Sequence, residues 1–243
     1  MLSTLIPRMH RGPLVRTALV AGLVLPSAAH AGCVWSDLVD EEARVAAVTS
    51  SSGRVHFVED DVLVHGCPND SAACRERAFV LPGDVVLAGP TQGAYTCAGY
   101  AGAKGFATIG WLPSAALTAL PQAQQAPQDW AGHWIAPEQD ITVTSDAAGL
   151  LAVDGEATWG MGDPWRRKNG GVHVGVLSGK VRPANGAIAF STGANDETLP
   201  YEAGDEFDCR VRMVRRGPYL LARDNNNCGG ANVTFSGFYV RAK

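Results

Sequence analysis

Apolar residues recur at every second position in run after run of this 243-residue chain, and each run stops at glycine, proline or asparagine. In LLAVDGEATW, Leu151, Val153, Ala157 and Trp159 fall on one face, while Asp154, Glu156 and Thr158 fall on the other. A period of two marks a half-buried strand, because successive side chains point to opposite faces of a pleated sheet. VHVGVLSGKV continues the pattern with Val172, Val174 and Val176, and PANGAIAF carries an Asn185-Gly186 pair suited to a hairpin turn. CRVRMV, PYLLA and NVTFSGFYVRA complete about eight short strands. Such strands, with no convincing helix among them, form a meander closed on itself or a sandwich, and closure removes unpaired edges. An antiparallel β-barrel is therefore expected over residues 129–243.

The amino-terminal half is also β-patterned. GRVHFVEDDVLVHG alternates around Val55, Phe57, Val62 and Val64, and ERAFVLPGDVVLAGPTQGAYTCAGY adds runs cut at Pro82-Gly83 and Gln92-Gly93. DLVDEEARVAAV fits either a short helix or a strand. Between the halves, PQAQQAPQ (residues 121–128) has no charge and no aliphatic side chain larger than alanine, so it reads as a linker. The expected organisation is all-β: a domain over 32–120, a linker, and a domain over 129–243.

The first 31 residues read as an export signal. Arg8, Arg11 and Arg16 precede a short apolar run, and Ala29-His30-Ala31 is a cleavage site of the A-x-A type. Cleavage after Ala31 removes three of the 20 basic residues and none of the 24 acidic ones. The remaining acidic chain repels phosphate backbones and anionic lipid, so nucleic acid and membrane surfaces are poor partners and a basic protein is a tolerable one. No later stretch approaches the roughly 20 apolar residues of a membrane-spanning helix.

Six cysteines in an exported chain suggest a disulfide framework. Cys209 and Cys228 sit on neighbouring strands, and a staple of that span stabilises by about 3 kcal/mol. Cys67 and Cys74 flank the polar turn PNDSAA and are paired on that ground, which leaves Cys33 for Cys97. The four amino-terminal cysteines allow three pairings in all, and this is the one expected. Ala31-Gly32-Cys33 also resembles the end of a lipoprotein box, with His30 where that motif takes an aliphatic residue. Lipidation of Cys33 leaves five cysteines, one unpaired, so a freely soluble periplasmic protein is the preferred reading.

Within PGDVVLAGPTQGAYTCAGYAGAKGFATIGWLPSAAL (residues 82–117), Gly83-Asp84 precedes a Val-Val strand and Gln92-Gly93 makes a turn. Tyr95 then opens the next strand, and Gly110-Trp111-Leu112-Pro113 leads into a short turn. In that order these features resemble the bacterial Src-homology-3-like domain, over residues about 54–120. The resemblance implies a small β-barrel with Gly110 at a tight backbone approach. It also implies a shallow ligand groove lined by Tyr95, Tyr100 and Trp111, which in exported relatives serves wall peptides or partner proteins. The second half, with DWAGHW at its start and VTFSGFY at its end, resembles more loosely the small lipocalin-like or avidin-like barrels of exported proteins.

Reactive chemistry is not legible. No histidine follows His173, so no base accompanies Cys209 or Cys228, and no histidine pair has metal-ligand spacing. DNNNCGG (residues 224–230) holds one carboxylate, too few for a calcium loop, and its asparagines suit left-handed turns. His173 is expected at the solvent or a barrel mouth. WRRKN (residues 165–169) with Arg210, Arg212, Arg215 and Arg216 makes a local basic surface. Neither metal nor cofactor is expected, and the chain is read as a non-enzyme. It is expected to be an envelope binding or adaptor protein for wall peptide or a protein partner. The alternative is an inhibitor or immunity protein against a basic, lysozyme-like enzyme, because the first domain holds ten acidic residues against five basic ones.

Overall fold

A computed structural model describes residues 32–39, 43–51, 53–122, 125–193 and 197–243. The expected signal peptide and the acidic run 40–42 lie outside the described residues. DLVDEEARVAAV resolves into both alternatives, a one-turn helix α1 (Trp35–Val39) followed by strand β1 (Arg44–Val48).

The first sheet comprises β1, β2 (Val55–Val58), β3 (Arg75–Val80), β4 (Val85–Gln92), β5 (Tyr95–Ala101), β6 (Ala107–Pro113) and β7 (Leu117–Ala119). They pair antiparallel in the order β3-β2-β6-β5-β4-β1-β7. Among the described residues no ladder joins β3 to β7, so this sheet has two ends where a closed small barrel was expected.

The second sheet has nine strands: β8 (Gly132–Ala136), β9 (Gln139–Ser145), β10 (Leu151–Trp159), β11 (His173–Val181), β12 (Ala187–Thr192), β13 (Thr198–Pro200), β14 (Cys209–Arg216), β15 (Tyr219–Asp224) and β16 (Gly237–Arg241). The order β11-β10-β9-β8-β16-β15-β14-β12-β13 curls into a near-closed antiparallel barrel. Side chains bridge its seam: Thr192 Oγ1 donates to the Ser178 carbonyl at 3.0 Å, and the Lys180 amide donates to Thr198 Oγ1 at 3.0 Å. The expected hairpin at Asn185-Gly186 is present, with φ of 51° and 72°, a geometry these two residues tolerate. All three expected disulfides are formed: Cys33–Cys97, Cys67–Cys74 and Cys209–Cys228.

One phase is reversed. Val174 and Val176 face outward, 64% and 71% exposed, while Gly175, Leu177 and Gly179 face the barrel interior. The inward positions have little room. A Cβ on Gly175 meets the Cys228 carbonyl at 2.4 Å, and one on Gly179 meets the Phe190 ring at 2.4 Å. Glycine therefore occupies the buried face of β11, and apolar periodicity read alone points the wrong way.

A short helix also escaped the strand reading. In α2 (Pro164–Asn169), Asp163 accepts from the Trp165 amide at 2.8 Å as the N-cap, Pro164 opens the turn, and Gly170 closes it in left-handed geometry.

The two sheets share a core. On β15 and β16, Leu220, Ala222 and Tyr239 fill the barrel, whereas Tyr219, Leu221, Phe238 and Val240 face outward into a cluster with Leu38, Leu87 and Cys97. Strands buried on both faces carry continuous apolar runs, which is why PYLLA and GFYV do not alternate. Leu38 of α1 is fully buried in this junction, against Gly89 and Gly99. A Cβ on Gly99 meets a Leu38 methyl at 2.6 Å and the Phe238 ring at 3.0 Å. The Tyr219 hydroxyl donates to the Val85 carbonyl across the junction. The connector is pinned as well: the Gln122 amide donates to the Ala43 carbonyl at 3.3 Å and the Gln125 amide to the Arg215 carbonyl at 2.8 Å.

Candidate functional site

The aromatic trio expected to line a groove does not assemble. Trp111 is 1% exposed and Tyr95 6% exposed, both in the cluster that holds the Cys67–Cys74 disulfide. Tyr100 lies five residues along β5 from Tyr95, an odd offset, so the pleat sends it to the opposite face, where it packs against Phe57, Val86 and Ala98. Trp111 is thus a core indole. Gly110 beside it is crowded as expected, since a Cβ there meets the Phe57 ring at 3.2 Å and the Glu76 carboxyl at 3.1 Å. Tyr95 donates its hydroxyl to the Asp70 carboxylate; burial and that acid push its phenol up to about 12, so it remains a donor at neutral pH.

The concave surface of the first sheet lies elsewhere. A cleft of about 430 Å³ runs along β2, between the β1–β2 loop, the turn after Pro113 and the loop closed by Cys67–Cys74. Val55, Val58 and Ala116 line it with apolar surface, Ser51 and Ser71 with hydroxyls, and Arg54, His56 and Arg75 with nitrogen donors. Period-two geometry puts Arg54 and His56 on the same side of the strand, and the β2–β3 register sets Arg75 opposite Val58. The Arg54 guanidinium rests over the Phe79 ring at 4.4 Å, and the His56 ring packs on the same phenyl at 5.7 Å. Stacking of this kind orients a guanidinium without neutralising it. His56 Nδ1 lies 2.9 Å from the Glu76 carbonyl, and a hydrogen on Nδ1 donated there leaves Nε2 free to bind. No carboxylate pairs with Arg54 or Arg75 among the described residues. Asn69, Asp70 and Ser71 form one wall, held by the disulfide, by the Asn69 amide on the Gly66 carbonyl at 2.9 Å and by the Tyr95–Asp70 bond.

On β3, next to Arg75, burial pushes the Glu76 carboxyl above its ordinary 4.5, with Glu59 and Asp60 adding to the rise. A folded-state value above the unfolded one favours the protonated group in the fold. That contribution is complete below the unfolded value and is lost as pH rises through the folded one. Glu76→Gln is therefore expected to raise the urea midpoint at pH 7 and leave it unchanged below pH 4, measured against the wild type.

The remaining candidates are structural. Asp224 of the DNNNCGG loop accepts from Thr234 Oγ1 at 2.6 Å, the Phe235 amide at 2.9 Å and Ser236 Oγ at 2.7 Å. Asn226 and Asn232 take left-handed backbone, at φ 61° and 66°. Among the described residues, no three histidines, cysteines or acids gather as a metal site. His173 is half-buried, its ring 5.3 Å from that of Trp159. Arg210 donates to the Gly204 and Asp205 carbonyls, Arg215 to those of Asp129 and Gly217, and Arg216 to that of Ala43, so these guanidiniums anchor loops. Arg212 is exposed, and Arg166 lies 4.0 Å over the Trp159 ring.

No helix among the described residues is long and apolar enough to cross a membrane. Compared with known proteins, the chain matches no family model, no curated protein and no solved structure.

Proposed function

We propose that this chain is an exported cell-envelope binding or adaptor protein, with a Src-homology-3-like first module and a lipocalin- or avidin-like second barrel. It recognises a carboxylate-bearing peptide, of the wall or of a partner, in the cleft of the first sheet. The observation that carries this reading is the Arg54–His56–Arg75 set: two cations without carboxylate partners among the described residues, beside an imidazole, above an apolar floor, in a half that is otherwise acidic. A guanidinium fork matches a carboxylate in two parallel hydrogen bonds, and a cleft of this size holds a few residues of peptide. The pairing of Cys33 with Cys97 leaves no sulfur for a thioether-linked lipid, which supports a free over an anchored protein.

Sedimentation with insoluble wall sacculi tests it. Wild-type protein is expected in the pellet at low salt and in the supernatant at high salt. The Arg54→Ala, Arg75→Ala double variant is expected to bind at least about tenfold more weakly, since hydrogen bonds to charged groups contribute about 1.5–3 kcal/mol each. A folded double variant that pellets like the wild type removes the cleft from the account, and wild type that never pellets removes the wall peptide.

One observation favours the second reading, inhibition of a basic wall-degrading enzyme. Val62 and Leu63 stand 72% and 74% exposed in a loop, directly after the acidic run Glu59, Asp60 and Asp61. Asp60 Oδ1 accepts from the Val62 and Leu63 amides at 2.9 and 3.1 Å, which holds the loop in one shape. A preorganised apolar segment beside an acidic run suits a basic cleft. Salt-sensitive protection of a cell-wall suspension from a muramidase, lost in Leu63→Asp, identifies this activity; unprotected lysis excludes it.

A further inference from the structure

We infer that the cleft of the first sheet takes a zwitterionic ligand, a short peptide carrying an ammonium group as well as a carboxylate, and that Asp70 receives the ammonium. The inference rests on the carboxylate reading proposed above and adds a second pole to it. Arg54 and Arg75 line the β2–β3 side of the cleft, and Asp70 lines its cystine-loop wall with Asn69 and Ser71. In a second cleft, about 880 Å³ at the sheet junction, the Arg215 guanidinium is spent on the Asp129 and Gly217 carbonyls. The first cleft is where charge stands ready for a ligand.

Charges of both signs share this lining without meeting. The ion pairs within 4.0 Å among the described residues are His65–Asp61, His133–Asp140 and Arg166–Asp163, all outside the cleft. Neutral groups hold the cleft charges in place instead. The Arg54 guanidinium rests on the Phe79 ring at 4.4 Å, and Asp70 Oδ1 accepts the Tyr95 hydroxyl. With its phenol pushed up to about 12, Tyr95 gives Asp70 a hydrogen bond and leaves the carboxylate charge intact. Asp70 Oδ2 has no partner among the described residues. The neighbouring residues fix the backbone: Asn69 Oδ1 accepts from the Ser71 amide at 2.7 Å, and Asn69 Nδ2 donates to the Gly66 carbonyl at 2.9 Å. Cys67–Cys74 closes the loop. Asp70 is exposed, so its open oxygen meets a ligand without first being uncovered.

The fixed charges define what fits between them. A ligand with a carboxylate alone is drawn by the guanidiniums but repelled by Asp70, and one with an ammonium alone is repelled by the guanidiniums. A ligand bearing both gains at each pole. The cleft also sets a length. Arg54 and Val58, the strand partner of Arg75, are four positions apart, about 13 Å along a strand. An extended tripeptide, at roughly 3.3–3.6 Å per residue, spans most of that distance. Val55, Val58 and Ala116 offer its side chains apolar surface. An amino terminus and a lysine-type side chain present the same ammonium chemistry to Asp70.

Calorimetric titration at low salt and neutral pH tests it, with acetyl-Ala-Ala-Ala, Ala-Ala-Ala and acetyl-Ala-Lys-Ala as probes. All three carry the terminal carboxylate, and only the last two carry an ammonium. One of those two is expected to bind wild-type protein at least about threefold more tightly than acetyl-Ala-Ala-Ala, the gain from a partly exposed ion pair. The one that gains identifies the source of the ammonium. Asp70→Asn keeps an acceptor for Tyr95; it is expected to abolish the difference and to bind acetyl-Ala-Ala-Ala no more weakly than wild type does. Ammonium-bearing peptides that bind no tighter than the acetylated one overturn the inference and leave the carboxylate reading standing, as does a gap that persists in folded Asp70→Asn. The comparison of probes on wild type needs no variant, so it decides even if Asp70→Asn is unstable. If none of the three binds at millimolar concentration, the carboxylate reading falls and the inference falls with it.

Discussion

Replacing Asp224 by alanine is expected to destabilise the second sheet by about 4 kcal/mol or more, a large share of the roughly 5–15 kcal/mol that holds a typical domain folded. The carboxylate is 9% exposed and receives Thr234 Oγ1, the Phe235 amide and Ser236 Oγ, which tie the segment before β16 to the end of β15. The Asp224 amide in turn donates to Ser236 Oγ at 3.0 Å, so the two segments are bonded in both directions. Truncation leaves three donors without their acceptor, and hydrogen bonds to a charged group contribute about 1.5–3 kcal/mol each, though not additively. Asp224→Asn keeps one acceptor oxygen and is expected to lose about half as much. Urea unfolding under non-reducing conditions, with the Cys209–Cys228 bond intact, reads both; an alanine variant as stable as wild type contradicts the assignment.

Replacing Trp111 by alanine is expected to cost about 3–5 kcal/mol, the usual range for deleting a large buried aromatic. The indole packs with Tyr95, Cys67 and Cys74, and its strand neighbours are Cys97 on β5 and Val58 on β2. A cavity there loosens the disulfide-held wall of the first cleft along with the core. Trp111→Phe is expected to cost much less, because the indole nitrogen has no hydrogen-bond partner among the described residues to lose. Thermal unfolding of both variants separates this structural role from ligand contact. An alanine variant with unchanged stability but no peptide binding restores the indole to a groove.

These two residues mark where the sequence can and cannot be read. Alternation over Leu151–Trp159, the turn residues and the short spans of Cys67–Cys74 and Cys209–Cys228 make the strands, the hairpin and two crosslinks legible, because each depends on local geometry, and the even cysteine number leaves the long-range Cys33–Cys97 pair by elimination. Apolar alternation gives the wrong phase for β11 because its inward face carries glycine, which only the neighbouring Cys228 carbonyl and Phe190 ring explain. Helix α2 is legible in Asp163-Pro164 and Gly170, although its run of arginines and lysine also fits a basic patch. The parity of Tyr95 and Tyr100 alone forbade their sharing a face. The Arg54–His56–Arg75 cleft was beyond sequence reasoning, since it needs the register of β2 with β3 and the path of the cystine loop. So was the junction of the sheets, although uninterrupted apolar runs in β15 and β16 hinted at strands covered twice.

The physical picture is of two sheets locked on a common core, with α1 wedged into the junction and Cys33–Cys97 tying the segment before it to β5. Such a body presents fixed concave surfaces, and preorganised donors bind at lower entropic cost than mobile ones. Recognition by the first cleft is the claim on which the functional account depends. Titrating a wall peptide with a free terminal carboxylate while following the His56 ring and the Arg54 and Arg75 side-chain resonances addresses it directly. The account predicts saturable shifts at these three residues that vanish when the carboxylate is amidated. Peptide binding that leaves all three unmoved contradicts it.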